Sequence, residues 1–317
     1  MRKCGFAGVV FLLSSLGFVG RATAQLNGAQ YRVTVTNLAH ATPATNSNSA
    51  AGSPVTLAKN TSFGTPNITG SPAACQDPSG QPVAGQMLGL WVFAVHDQNF
   101  SLFTLGQPAD PELARLSQTG RPFYLANKLS MNPDVDSVFT IPPDPGFALP
   151  NPTPFPPATG VHDIVLCPGQ SLSTMVTTQG PHEYLSLAAM VFPTNDGFVG
   201  VTGVPLPVGT QPVTVYSPAY DSGSEENDEL CVNIPSLEVI GFPFPLKSLS
   251  SGAACPDGSG AQDFNSDPLT ANSPDDNPAR AEGYVHVHGG IKGVGDLDPN
   301  VWNWENPLMM VSIQRVY

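Results

Sequence analysis

Between residues 161 and 216 the chain repeats one arrangement five times: a short apolar or β-branched segment, then a turn. The segments are 161–167 (VHDIVLC), 171–178 (SLSTMVTT), 184–192 (YLSLAAMVF), 198–204 (FVGVTGV) and 212–216 (PVTVY). Pro168-Gly169, Gly180-Pro181, Asn195-Asp196-Gly197 and Pro207-Val208-Gly209 separate them. Segments of this length, closed by residues that favour tight turns, form antiparallel strands rather than helices or long parallel crossovers. This is the feature that most narrows the fold.

The same pattern continues on both sides. Residues 31–37 (YRVTVTN) alternate as a half-buried strand does, while 87–96 (MLGLWVFAVH) is apolar throughout and reads as a central strand. Residues 283–288 and 307–316 are strand-like and close the chain. One helix is expected over 110–118 (DPELARLSQ), with Asp110 as N-cap, Pro111 at the first helical position and Gly120 as the stop. Three stretches rich in Pro, Gly and Ser, at about 39–86, 131–160 and 236–280, read as insertions without regular structure. The expected fold is all-β: an antiparallel β-sandwich of about eight core strands, with one short helix and long loop insertions. Because the strand pattern spans the insertions, residues 25–317 read as one domain.

The N-terminus predicts export. Arg2 and Lys3 precede an apolar stretch over 9–19, and Ala22-Thr23-Ala24 offers a small-x-small cleavage site, so residues 1–24 read as a signal peptide and Gln25 as the mature start. The stretch is too short for a span of ~20 residues, and no later segment approaches that length, so no transmembrane anchor is expected. Loss of Arg2, Lys3 and Arg21 takes the formal charge from -13 to -16. Such a chain repels nucleic acid and anionic membranes and suits cations and an extracellular or periplasmic setting. Cys4 leaves with the signal. Cys75, Cys167, Cys231 and Cys255 remain, an even count in an exported chain. Of the three possible pairings, Cys231–Cys255 with Cys75–Cys167 is preferred, because it closes one insertion and ties another to a strand. Asn60, Asn67 and Asn99 begin glycosylation sequons.

Motifs for catalysis are scarce. No Gly-x-Ser-x-Gly elbow, His-Glu-x-x-His pair or phosphate-binding loop is present, which argues against an enzyme. His286 and His288 are two residues apart on a strand-like segment and would share one face, so a transition metal is one reading, with His96, His162 or His182 as third ligand. The plainer reading is that they face solvent or hydrogen-bond neighbouring loops. Trp302 and Trp304 suit either a stacking platform or core packing. Asp296 and Asp298 suit a turn better than a carboxylate pair.

The acids that follow apolar strands carry more weight. Asp196 sits in the turn after LAAMVFPTN, and Asp221 and Glu225 sit in YDSGSEENDE. Loops at one end of a sandwich gather together. Carboxylates there, with carbonyls and water, make an all-oxygen site that favours Ca²⁺. Solvated acidic loops are the ordinary alternative.

At these residues the chain resembles the spondin N-terminal domain family, that of F-spondin, mindin and shorter bacterial relatives. The blocks run in order: 31–37 (YRVTVTN), 96–114 (HDQNFSLFTLGQPADPELA), 186–203 (SLAAMVFPTNDGFVGVTG), 218–229 (PAYDSGSEENDE) and 283–296 (GYVHVHGGIKGVGD). The resemblance implies a sandwich akin to calcium-dependent membrane-binding domains, with one Ca²⁺ at an apex. Its metal-binding acids correspond to Asp196, Asp221 and Glu225, where animal members have aspartate in place of Glu225. It further implies a recognition or adhesion role without catalysis, toward an extracellular protein or glycan. The alternatives are a metal-dependent hydrolase using His286 and His288, and a purely structural matrix or envelope component.

Overall fold

The computed structural model describes residues 28–43, 83–141, 165–178, 183–230, 234, 281–295, 297–300 and 302–316. They form two packed antiparallel sheets with helices against the outer face of one, so the fold is an all-β sandwich. The smaller sheet has the order β10 (Val213–Ser217), β13 (Met309–Arg315), β1 (Gln30–Asn37), β7 (Ser171–Thr177). The larger runs β12 (His286–Val287), β11 (Ala219–Asp221), β9 (Gly197–Pro205), β8 (Tyr184–Phe192), β4 (Met87–His96), β5 (Val135–Ile141). A short β6 (Val165–Leu166) also pairs with β4, and β2 (Thr42–Pro43) pairs with β3 (Val83–Ala84) as a separate two-stranded ladder.

Period-two patterning decides which side chains meet. In β1, Tyr31, Val33, Val35 and Asn37 are buried while the residues between them are not. Val33 and Val35 stand opposite Ile313 and Val311 of β13. Together they pack on Trp91, Phe93, Val95, Leu185 and Leu187 of the larger sheet, and this layer between the sheets is the main core. Phe93 also stacks on Phe139 of β5 with ring centroids 4.7 Å apart. Each such side chain contributes about 1.5–3 kcal/mol by leaving water.

The other face of the larger sheet is covered too. Val92, Ala94, Ala188 and Phe198 pack against Leu113, Leu116, Leu125 and Leu129, which lie on two helices. Strand β4 is therefore buried on both faces, which explains its unbroken apolar run. Helix α1 (Pro111–Thr119) begins where expected, with the Asp110 side chain accepting the Glu112 N–H, and ends at Gly120 in the left-handed region. A second helix, α2 (Pro122–Ser130), corrects the expectation of one. Pro122 lacks an N–H and has its φ preset for the first helical turn, so the next helix starts only two residues after the Gly120 cap. Arg115 of α1 lies 4.1 Å over the Tyr124 ring of α2 and fastens the pair.

The expected irregular stretch over 131–160 needs a second correction, because Val135–Ile141 is strand β5 on the edge of β4. In the 39–86 insertion, β2 and β3 are the elements found among the described residues. The signal peptide, Cys75, Cys231, Cys255, His162, His182, Asn60, Asn67 and Asp296 lie outside the described residues. Among the described residues no helix is long and apolar enough to cross a membrane.

Candidate metal centre

The β9–β11 ladder brings two of the predicted acids, Asp196 and Asp221, together at one end of the larger sheet. In the β9–β11 ladder Asp221 is opposite Gly197, which places Asp196, one residue earlier, beside it. The turn that delivers Asp196 is held by Thr194, whose hydroxyl donates to the Val191 carbonyl and accepts the Gly197 N–H. After Asp221 the chain turns sharply at Gly223, with φ at +70°. A Cβ there would lie 2.4 Å from the Tyr284 carbonyl oxygen, so both the backbone conformation and the space demand glycine.

This turn wraps the chain around Asp196. Its Oδ2 accepts hydrogen bonds from Ser222 Oγ at 2.8 Å, Ser224 N at 2.7 Å, Ser224 Oγ at 3.0 Å and Glu225 N at 3.2 Å. One oxygen is thus saturated. The other, Oδ1, is buried and has no hydrogen-bond partner. Asp221 accepts the Gly223 N–H at Oδ1 and the Asn227 side-chain amide N–H at Oδ2. Both aspartates have 0% exposure, so the picture of solvated loop-tip acids does not hold for them. Glu225 is only half-buried and joins through its backbone N–H, although its Oε2 is shielded from solvent.

Burial of two like charges has an electrostatic consequence. Removal from water raises the Asp196 pKa, against the opposing pull of the hydroxyls and N–H groups. Asp221 is pushed up to about 8, first by burial and then by the charge of Asp196. The pair is therefore hard to ionise together without a cation. The donors are carboxylate oxygens, hydroxyls and backbone, the chemistry that suits a hard ion such as Ca²⁺.

Helix α1 buttresses this centre: Ser117 Oγ donates to Ser222 Oγ at 3.0 Å, and Gln118 Nε2 donates to Ser224 Oγ at 2.9 Å. The serines that hold Asp196 are in turn held by the helix, which explains why polar residues of α1 are buried.

The histidines separate. His286 is paired with Asp221 across the β11–β12 ladder, and its Nδ1 lies 3.7 Å from Asp221 Oδ1. His288 is buried, stacks on Trp304 with ring centroids 4.5 Å apart, and accepts the Gly290 N–H at Nδ1. Burial, then the neighbouring His286 and Lys292, lowers its pKa to about 3, so its ring is neutral. Both line a cleft of about 170 Å³ with Glu229, Glu282 and Lys292. His96 is elsewhere employed, between the Asp97 carbonyl and Ser186 Oγ, and does not serve as a third ligand. Trp302 is buried in the core, and Asp298 caps a turn through the N–H of Asn300.

Two residues escaped the sequence reading. Glu282 closes within 4.8 Å of Asp221 and His286, counted between ligand atoms. Glu229, with φ at +56°, spreads its carboxylate over the N–H groups of Lys292, Gly293 and Val294 and closes the wall of the cleft. The Gly-rich run IKGVG was the available signal, since consecutive exposed N–H groups seek an anion, but the partner is more than sixty residues away. Compared with known proteins, the chain matches no protein-family model and no curated protein.

Proposed function

We propose that this chain is a secreted calcium-binding recognition or adhesion module of spondin type, without catalytic activity, that holds one Ca²⁺ beside Asp196, Asp221 and Glu225. The carrying observation is the buried, unpartnered Oδ1 of Asp196 next to the buried carboxyl of Asp221. A divalent cation would supply the missing partner and neutralise both groups. The dense ring of donors on Asp196 Oδ2 fixes the carboxylate so that Oδ1 is the oxygen left to offer. Glu225 follows directly on that ring, its backbone N–H on Asp196 Oδ2, and its longer arm would have to swing toward the ion to ligate it. The spondin resemblance names the same three acids. The partner of such a module is an extracellular protein or glycan, since the acidic surface disfavours nucleic acid.

Thermal melts in excess Ca²⁺ and in chelator test the reading. Binding to the folded form alone raises stability by about 2.7 kcal/mol at a hundredfold excess over Kd. A melt indifferent to calcium contradicts it.

A further inference from the structure

We propose that Asp221, Glu282 and His286 form a second divalent-cation site, one that takes a borderline transition ion of the Zn²⁺ class. The site stands apart from the calcium reading and shares only Asp221 with it. The β11–β12 ladder sets His286 directly opposite Asp221. Gly283 N donates to the Gly223 carbonyl at 2.8 Å, which ties the segment before β12 to the loop after β11 and brings Glu282 alongside. One nitrogen and two carboxylate oxygens then converge, all within 4.8 Å of one another.

The spacing favours a shared ion over a direct contact. At 3.7 Å, His286 Nδ1 and Asp221 Oδ1 are too far apart for a hydrogen bond. Ligands held about 2.0–2.2 Å from one tetrahedral zinc lie roughly 3.3–3.6 Å from each other. The His286 Nδ1 atom is shielded from solvent and has no hydrogen-bond partner, an unusual state for an imidazole nitrogen beside a carboxylate. Asn227 spans the two acids, donating to Asp221 Oδ2 and, at 3.5 Å, to Glu282 Oε1, which holds both carboxylates in place. Glu282 and His286 also line the cleft, which leaves a coordination position open to water. Nitrogen in the donor set selects zinc or cobalt over calcium and magnesium. His288, with Nδ1 turned to the Gly290 N–H, stands beside this set rather than in it.

The test titrates the metal-stripped full chain with Zn²⁺ by calorimetry and with Co²⁺ by visible absorption. One equivalent should bind, with the intense bands of a low-coordinate cobalt centre. His286→Ala and Glu282→Gln should each weaken Zn²⁺ binding at least tenfold. His40→Ala, at an exposed histidine far along the chain, should not change it. The calcium response separates the two proposals: His286→Ala should keep it, while a zinc site lost with His286 in a protein that ignores calcium would leave this inference standing alone. Absence of stoichiometric Zn²⁺ binding, or binding undiminished by His286→Ala, would overturn it.

Discussion

Asp196 and Asp221 are both wholly buried, and burial first, then the charge of Asp196 in the turn before β9, raises the pKa of Asp221. Every hydrogen bond to the Asp196 carboxyl falls on Oδ2, so its second oxygen and the raised Asp221 share an unmet demand for positive charge.

That relationship fixes a pH dependence. In metal-stripped protein Asp221 holds its proton up to about 8, against an ordinary value of 3.8. Between those values the folded chain binds a proton that the unfolded chain has released. Stability in chelator should therefore fall as pH rises through this window and level off above it. Calcium needs ionised ligands, so its apparent affinity should rise with pH over the same interval. Denaturant titrations at several pH values, with chelator and with calcium, measure both. A stripped protein that gains stability with pH across the window would contradict the account.

Gly223→Ala should lower stability by about 1–3 kcal/mol, the cost of a strained left-handed residue. The added Cβ would also meet the Tyr284 carbonyl. Because the Gly223 N–H holds Asp221 and Gly223 lies between Ser222 and Ser224, which both donate to Asp196, calcium affinity should fall as well. Melting and calcium titration of the one variant check both effects.

Glu229→Gln should destabilise the folded protein by about 2–4 kcal/mol while keeping its calcium response. The carboxylate accepts three backbone N–H groups, and an amide would turn an NH₂ toward at least one of them. Chemical denaturation gives the first quantity and a melt with and without calcium the second.

The sequence made the sheets readable wherever burial follows a simple period. Val33 and Val35 alternate with Arg32 and Thr34, and the run through Trp91 and Phe93 is long enough to demand cover on both faces. Helix α2 was hidden because Pro122 follows Gly120 so closely that both read as one stop. Strand β5 was hidden by the prolines that follow Ile141. At the site, Asp196 and Asp221 were legible as turn acids, but their burial was not. It depends on Ser222 and Ser224 folding back over Asp196 and on Ser117 of a distant helix holding them there. Glu282 was obscured by its place at the edge of a polar insertion, since only the β11–β12 pairing brings it near His286.

Calorimetric titration of metal-stripped protein with Ca²⁺ tests the central claim most directly, on wild type and on Asp196→Asn, Asp221→Asn and Glu225→Gln. One site should bind in wild type. Asp196→Asn and Asp221→Asn should abolish it, because each removes a buried charge that the ion neutralises. Glu225→Gln should only weaken it, because that side chain is half-exposed and joins the ring through its backbone. Absence of calcium binding in wild type, or binding unchanged by Asp196→Asn, would contradict the account.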